Sequence, residues 1–438
     1  MLNRKIQTFL NEYFKSDMKK VLIIDGARQV GKSYIIRHES KAHFKNFVEV
    51  NMINDRDGAR IFADLNGLDD FYVRLSSYYG KKLGTKKDTL IFLDEIQAYP
   101  ELLTMLKFLC DDGRFNYIAS GSLLGVTLHK TLSIPGGRIE VKHLYPLDFE
   151  EFLWANGVGE DVIAHMHGQF MKHEGLNDGL HRRLMDLFKS YLLVGGLPQA
   201  VSEFVSSQNI YRVRKIHDEI HNLYKEDASQ YSRDERLKIR RVYDLIPSNM
   251  ENRKKRLYFN SVEQKRGKSA RDYEDEIEYL VSSGVVLDVK SISNPVFPLV
   301  ASARKNLVKL YMNDVGLLSN VLFHTNISAI KDDLLSINLG SVYETVVATE
   351  LLAHGHPLFY YDNKQKGEVD FMIDDYDSLS ILPIEVKSGK DYTIHRALDR
   401  FVGNPDYKVK TAVVLSNEAA VTQQGPVLNL PIYYSMFL

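Results

Sequence analysis

The chain has almost no cysteine. Among its 438 residues there is one, Cys110, so an intramolecular disulfide framework is excluded. A single thiol fits a protein of a reducing compartment. The apolar run that precedes Cys110 favours a buried, structural thiol.

Long apolar runs are also missing. No stretch approaches the roughly 18 to 20 apolar residues that a membrane-spanning helix requires. The residues that follow Met1 do not form the apolar core of a secretory signal. We therefore expect no membrane partner and a cytoplasmic location.

Neither sign of charge is in excess. The net charge of −1 gives no global attraction to nucleic acid, so any such preference must come from a local patch. With 44% hydrophobic and 26% charged residues, the composition is that of a globular protein with a sizeable core. The length favours two or three domains.

The order of apolar runs predicts an α/β protein with four parts. Residues 1–155 alternate short buried strands with helical patterns, which predicts a parallel sheet. Residues 156–235 are mainly helical. Residues 236–325 combine helices with a strand, and residues 326–438 form a second α/β part.

A glycine-rich loop follows the first predicted strand and precedes a helix. It fits the pattern G-x-x-x-x-G-K-[ST] at every defined position, and reads Gly26-Ala27-Arg28-Gln29-Val30-Gly31-Lys32-Ser33. In such a loop, backbone N–H groups and Lys32 bind phosphates, and Ser33 offers a hydroxyl ligand to Mg²⁺. This segment, the phosphate loop, predicts binding of ATP and Mg²⁺.

Two further strands end in polar residues. The apolar run 90–93 leads into Asp94, which would hold Mg²⁺, and Glu95, which would act as the general base. The alternative for Glu95 is a surface carboxylate at the start of a helix. Ser120 and Ser122 follow another strand and could contact the γ-phosphate or its water, although an ordinary transition from strand to loop explains either one equally well.

These motifs, in this order, resemble the prokaryotic AAA-type ATPases that carry a C-terminal domain with a nuclease-like fold. The blocks that carry the resemblance are the phosphate loop, Leu93-Asp94-Glu95-Ile96-Gln97, Ser120-Gly121-Ser122, Gly137-Arg138, Leu144-Tyr145-Pro146-Leu147, the run from Tyr191 to Ala200 and the run from Lys309 to Leu318. The resemblance implies a P-loop AAA-type core, a helical lid over 156–235 and a winged-helix-like middle unit.

The resemblance also implies roles for two single residues. Arg138 would contact the γ-phosphate as a sensor or finger, with a structural arginine as the alternative. Pro198 would pack near the nucleotide, with a helix-starting proline as the alternative. Because AAA modules often use an arginine of a neighbouring copy, a homo-oligomer is also implied.

A second group of charged residues occurs near the C-terminus. Glu385 and Lys387 are two apart on a predicted strand and share a face, and Asp370 lies in an adjacent strand. Glu344 lies in a helical stretch upstream, and Glu368 supports the group. Converging carboxylates and a lysine can bind a divalent cation and activate water for phosphodiester cleavage.

This arrangement resembles the PD-(D/E)xK nuclease core, with matches at Glu344, Asp370, Glu385 and Lys387 and with Val369 in place of the proline. We call these four matching residues the carboxylate cluster. The resemblance implies a metal held by Asp370 and Glu385. The alternatives are a salt-bridged strand face and a nuclease fold retained for binding alone.

Basic residues concentrate in the middle part of this nearly neutral chain. Such a patch predicts contact with the phosphate backbone of DNA, and solvated helical faces are the alternative. The patch comprises Arg236, Lys238, Arg240, Arg241, Arg253, Lys254, Lys255, Arg256, Lys265, Arg266, Lys268 and Arg271. The sequence therefore predicts an ATP-driven switch that controls a nuclease-like domain on DNA. The alternatives are a regulatory protein that does not cleave and an ATPase that remodels a partner protein.

Overall fold

The computed structural model describes residues 2–122, 137–226, 233–252, 255, 257–263, 266–331, 339–363, 367–389 and 396–438. The chain forms two compact units. The N-terminal unit contains Asn3–Tyr145 and Ser282–Gly284, and the C-terminal unit contains Pro146–Val281 and Val285–Leu438. The predicted phosphate loop lies in the first and the carboxylate cluster in the second.

A five-stranded sheet organises the N-terminal unit, with the order β2-β3-β4-β1-β5 and every pairing parallel. The strands are β1 (Val21–Asp25), β2 (Asn46–Asn51), β3 (Thr89–Asp94), β4 (Asn116–Gly121) and β5 (Ile139–His143). The α-helices are α1 (Ile6–Lys15), α2 (Lys32–His43), α3 (Met52–Asp57), α4 (Leu68–Tyr79) and α5 (Pro100–Asp112). The predicted parallel α/β sheet is confirmed.

The core of this unit forms because its elements carry the matching apolar pattern. Every residue of β3 is buried, as expected for a central parallel strand. Helix α5 begins with Pro100 and is followed directly by Gly113, whose φ is 67°, in keeping with the preferences of helix termini. Its fully buried Leu102 and Leu106 each contribute about 2 kcal/mol by leaving water.

Helices open the C-terminal unit, as the sequence predicted. They are α6 (Phe149–Ala155), α7 (Glu160–Met171), α8 (Asp178–Val194), α9 (Pro198–Ser207), α10 (Ile210–Glu226), α11 (Arg233–Met250), α12 (Phe259–Glu263) and α13 (Glu274–Ser282). The side chain of Asp148 caps α6 by accepting from the N–H of Glu151, which returns the bond in a capping box.

An eight-stranded mixed sheet completes this unit, in the order β12-β13-β11-β10-β9-β8-β6-β7. Its strands are β6 (Val286–Ile292), β7 (Ala303–Met312), β8 (Phe359–Asn363), β9 (Gly367–Asp375), β10 (Ser380–Val386), β11 (Ala412–Ser416), β12 (Thr422–Gln424) and β13 (Val427–Pro431). The helices among them are α14 (Val315–Phe323), α15 (Ser328–Lys331), α16 (Gly340–Ala353) and α17 (Arg396–Val402).

The strand that we assigned to the middle part is β6, which belongs to this C-terminal sheet. β6 and β7 form an antiparallel pair, and β6 also pairs in parallel with β8. The predicted strands that carry Asp370 and Glu385 correspond to β9 and β10. Nowhere in the described ranges is a helix long and apolar enough to cross a membrane.

Candidate functional site

The phosphate loop follows β1 directly, and its backbone requires glycine. Gly26 has a φ of 136°, and a Cβ placed there would lie 2.3 Å from the carbonyl oxygen of Leu144. Gly31 has a φ of 95° and precedes α2, which begins at Lys32. Both glycines therefore permit a loop shape that other residues would strain.

Lys32 lies inside this loop. Its Nζ donates to the carbonyl oxygens of Gly26, at 2.9 Å, and Ala27, at 2.8 Å. Burial lowers the pKa of Lys32, and the nearby carboxylates of Glu95, Asp94 and Asp25 oppose that shift. The ammonium is thus directed into the curl of the loop, where a phosphate would place its negative charge.

Asp94 ends β3 next to the loop and collects polar side chains. Ser33 Oγ donates to its Oδ1 at 2.8 Å, Ser120 Oγ donates to the same oxygen, and Asn51 Nδ2 donates to Oδ2 at 3.3 Å. Only 3% of Asp94 is exposed. A hydroxyl and a carboxylate oxygen side by side are ligands that suit Mg²⁺, so Ser33 and Asp94 fit the predicted metal role.

Glu95 is held in an unusual conformation. Its φ of 56° and ψ of 46° are left-handed, which costs a residue other than glycine about 1–2 kcal/mol. Its Oε2 accepts from Gln97 Nε2 at 2.5 Å and from Ser122 Oγ at 3.2 Å. Ser122 thus contacts the predicted base, and Ser120 contacts Asp94.

The sequence did not single out Asn51 as a site residue, although a signal for it exists. Asn51 ends β2 and is paired in register with Asp94, so a polar residue at the carboxyl end of a neighbouring strand marked it. Gln97 was part of a block that carries the family resemblance, but no role was predicted for it. Its contact with Glu95 occurs next to the left-handed backbone of Glu95, which the sequence did not reveal.

Arg138 lies at the amino ends of the parallel strands, whereas the phosphate loop lies at their carboxyl ends. The strands β1 and β5 are parallel, with Val21 opposite Ile139 at their beginnings and Asp25 opposite His143 at their ends. Arg138 precedes β5, whereas the phosphate loop follows the end of β1. The guanidinium Nε of Arg138 pairs with Asp111 Oδ1 at 2.6 Å. Within one copy of this chain, Arg138 therefore lies at the opposite end of the parallel strands from the phosphate loop.

Pro198 occupies the first turn of α9 after a Gly-Gly turn. The N–H of Gly196 donates to Asp314 Oδ2 at 2.6 Å, and the N–H of Leu147 donates to the oxygen of Gly196 at 2.7 Å. Burial raises the pKa of Asp314 to about 6, although N–H donors including that of Gly196 lower it. The structure thus gives Pro198 the helix-starting position that was the alternative to a nucleotide contact.

The carboxylate cluster comes together in the C-terminal unit. Lys387 Nζ donates to Glu385 Oε1 at 2.7 Å, and the N–H of Val386 donates to Asp370 Oδ2 at 2.9 Å. Glu344 on α16 is 3% exposed, and its Oε2 accepts from the hydroxyl of Tyr311 at 2.9 Å. The helix glutamate and the two strands therefore bring the four predicted residues to one region.

Electrostatic coupling links these carboxylates. Burial raises the pKa of Asp370 well above its usual range, and the charges of Glu385 and Glu344 raise it further. Burial also raises the pKa of Glu385, although Lys387 opposes that shift. Carboxyl groups crowded in this way favour the uptake of a proton or, in its place, a cation.

Two more lysines belong to this region. Lys255 pairs with Glu344, and Lys309, 1% exposed, pairs with Glu368. Lys255, which we had counted in the basic patch, therefore lies against the carboxylate cluster. Lys309 was missed as a site residue, although its two-residue spacing from Tyr311 on β7 places both on one face of the strand.

The cluster fits a cation at two of its carboxylates. Nothing among the described residues donates a hydrogen bond to the buried Oε2 of Glu385, and Asp370 lies on the neighbouring strand. Within the described ranges, three possible metal-ligand atoms lie within 4.8 Å of one another at Asp148, Glu350 and His354. The carboxylate cluster does not form such a group of three there. Asp370 and Glu385, without Glu344, are thus the pair that would hold a metal.

The basic patch is partly neutralised. Lys238 pairs with Glu276 at 3.7 Å, Arg240 with Asp244 at 3.8 Å and Lys268 with Asp272 at 3.1 Å. The exposed members are Arg236, Arg240, Arg241, Arg266 and Arg271. Arg253, Lys254, Arg256 and Lys265 lie outside the described residues.

Family models match three segments of the chain. Residues 18–153 match a family described as an AAA domain, so this segment is an AAA-type P-loop ATPase domain. Residues 185–328 and 339–433 match two domains of unknown function, DUF8612 and DUF4143. No curated protein matches the chain.

Several solved structures are similar to parts of this chain. The Walker-type ATPase PABY2304 of Pyrococcus abyssi is 14% identical, with a TM-score of 0.43 over 73% of this chain and 95% of that one. Cdc6p of Pyrobaculum aerophilum is 12% identical, with a TM-score of 0.28 over 76% of this chain and 95% of that one. The RuvB branch migration motor of Thermotoga maritima is 14% identical, with a TM-score of 0.29 over 65% of this chain and 89% of that one.

Proposed function

We propose that this protein binds ATP with Mg²⁺, hydrolyses it, and uses the nucleotide state as a switch. The observation that carries the proposal is the contact of Ser33 with Asp94 at 2.8 Å, directly beside a complete phosphate loop. A hydroxyl from the loop and a carboxylate from a second strand meet where the metal ion of a nucleotide would need both.

The chain's own residues supply the remaining parts of the reaction. The N–H groups of the phosphate loop bind the phosphates, and Lys32 can exchange its two carbonyl partners for phosphate oxygens. Glu95 is positioned to take a proton from the attacking water, while Gln97 and Ser122 orient its carboxylate. Bound Mg²⁺, held by Ser33 and Asp94, would neutralise charge on the phosphates.

Nucleotide binding can be tested by titrating a fluorescent ATP analogue into the full chain. Lys32→Ala should weaken binding at least about tenfold, because a charge-assisted contact to phosphate is lost. Lys41→Ala, on the outer part of α2, is a matched control that should bind as the wild type does. Equal affinities for wild type and Lys32→Ala would sink the assignment of the phosphate loop.

We further propose that the switch acts on a metal-dependent nuclease-like domain that contacts DNA. The proximity of Asp370 to Glu385, the free Oε2 of Glu385 among the described residues and the nearby Lys387 support metal binding there. The second candidate is a regulatory protein whose cluster binds without cutting, which the ion pairs made by Lys255 and Lys309 favour, because they compensate the negative charge.

Plasmid nicking in Mn²⁺ separates these two candidates. Cleavage that is lost in Asp370→Ala supports the nuclease, with Asp377→Ala, an exposed acidic residue of the same unit, as the control. Manganese binding without nicking supports the regulatory candidate. We also propose a cytoplasmic location and assembly into a homo-oligomer. The oligomer is proposed because Arg138 lies at the far end of the strands from the phosphate loop of its own copy. Sedimentation with and without ATP tests the association.

A further inference from the structure

The N-terminal helix α1 lies outside the segment that matches the AAA domain, residues 18–153, but it is joined to the helix of the phosphate loop. Gln7 Nε2 donates to Glu39 Oε1 at 2.7 Å, and Asn11 Nδ2 donates to Glu39 Oε2 at 3.0 Å. Glu39, on α2, is 6% exposed. Such a buried carboxylate needs these donors, so α1 is fixed to α2 by polar contacts in addition to apolar packing.

Arg4, just before α1, connects the same segment to the loop itself. Its Nη1 donates to the carbonyl oxygen of Val30 at 3.1 Å, and its Nη2 donates to that of Tyr145 at 2.8 Å. Arg4 is 8% exposed. A guanidinium is rigid and planar, so it can hold two carbonyl groups at a set separation.

The contact with Val30 determines the direction of a phosphate-loop N–H. In a trans peptide, the carbonyl of one residue and the N–H of the next point in opposite directions. Because the carbonyl of Val30 faces Arg4, the N–H of Gly31 faces away from it. The loop needs this restraint, since Gln29 and Gly31 both have positive φ values, 67° and 95°.

The contact with Tyr145 holds the opposite wall of the loop. The N–H of Leu144 donates to the oxygen of Asp25 at 2.9 Å, and the carbonyl of Leu144 is the atom that a side chain at Gly26 would strike. Arg4 therefore contacts the phosphate loop itself at Val30 and, at Tyr145, the segment that lies beside Gly26.

We propose that Arg4 is a positioning residue for nucleotide binding, which orients the Val30–Gly31 peptide so that its N–H can donate to a phosphate. The inference rests on the proposed binding of ATP. It assigns to the N-terminal segment a part in the site, although Arg4 itself touches no phosphate.

The test compares Arg4→Gln and Arg4→Lys in the full chain, with the dissociation constant for a fluorescent ATP analogue and the turnover at saturating ATP as readouts. Arg4→Gln should raise the dissociation constant about tenfold, because hydrogen bonds from a charged donor are lost. Turnover at saturation should stay within about twofold, since these hydrogen bonds go to Val30 and Tyr145, and the reacting groups Asp94 and Glu95 are unchanged. Arg4→Lys keeps the charge but cannot span both carbonyls, so its affinity should be intermediate.

Arg74→Gln is the matched control. Arg74 also donates to backbone carbonyls, those of Ile61 at 2.8 Å, Ala63 at 2.6 Å and Asp64 at 3.4 Å, in a different part of the same unit. The Arg74→Gln variant should have a lower melting temperature than the wild type but the same affinity for ATP.

Three outcomes would overturn the inference. The first is a dissociation constant for Arg4→Gln equal to that of the wild type. The second, used if Arg4→Gln does not fold, is a wild-type dissociation constant for Arg4→Lys. The third is a loss of ATP affinity in Arg74→Gln as large as that in Arg4→Gln. A wild-type chain that binds no ATP would instead refute the proposed function, and the inference with it.

Discussion

Gly26 is a position where a single added methyl group should strongly weaken nucleotide binding. In Gly26→Ala the new Cβ would lie 2.3 Å from the carbonyl oxygen of Leu144, at a φ of 136°. A non-bonded carbon and oxygen need more than 3 Å, so the loop or the segment after β5 must move by about 1 Å. That displacement and the backbone strain together cost about 3 kcal/mol.

The cost appears in the affinity for ATP, because the strain in Gly26→Ala is relieved by moving the backbone groups that bind phosphate. A loss of about 3 kcal/mol corresponds to a dissociation constant for ATP more than about 100-fold higher. Titration of a fluorescent ATP analogue measures it, with circular dichroism to verify folding. Gly67→Ala is the control, because Gly67 has a φ of 90° but nothing within 4 Å of its would-be Cβ, so it carries strain without the clash. Wild-type affinity in Gly26→Ala would refute this reasoning.

Other predictions concern the C-terminal unit. Because the pKa of Asp314 is raised from 3.8 to about 6, its ionisation in the folded state should cost about 3 kcal/mol above pH 6. The free energy of unfolding should therefore fall between about pH 4 and 6, and urea titrations of Asp314→Asn should lack that component. Replacing exposed Arg236 and Arg241 with Ala should reduce the salt slope of DNA binding by about 2; an unchanged slope would remove them from the interface. Lys255→Gln should tighten Mn²⁺ binding about threefold, because it removes a positive charge that acts on Asp370. Mn²⁺ affinity is measured by electron paramagnetic resonance, and weaker binding in this variant would contradict the prediction.

The parts of the site that depend on local sequence were predictable. A strand, a glycine-rich loop and a helix are contiguous in the chain, so Gly26 to Ser33 could be assigned without a structure. Asp94 was predictable as well, because parallel strands place their carboxyl ends at one edge of the sheet. The confirmed parallel sheet follows from the same short, apolar strands.

Contacts between residues distant in the chain were not predictable. Arg4 reaches Tyr145, and Tyr311 reaches Glu344, across long separations, and no periodicity reports which polar groups meet. The position of Arg138 was missed because the resemblance supplied a role but not the end of β5 at which it lies. Lys255 was placed in a surface patch because charge density in a sequence does not distinguish solvated lysines from buried, paired ones.

Steady-state ATP hydrolysis in Mg²⁺ by the wild type and by Glu95→Gln tests the central claim most directly. We predict measurable turnover in the wild type, and at least about 100-fold less in Glu95→Gln with ATP still bound, because the general base is lost while the binding groups remain. Turnover of Glu95→Gln equal to that of the wild type would contradict the assignment of Glu95, and a wild type that binds ATP without hydrolysing it would contradict the proposed switch.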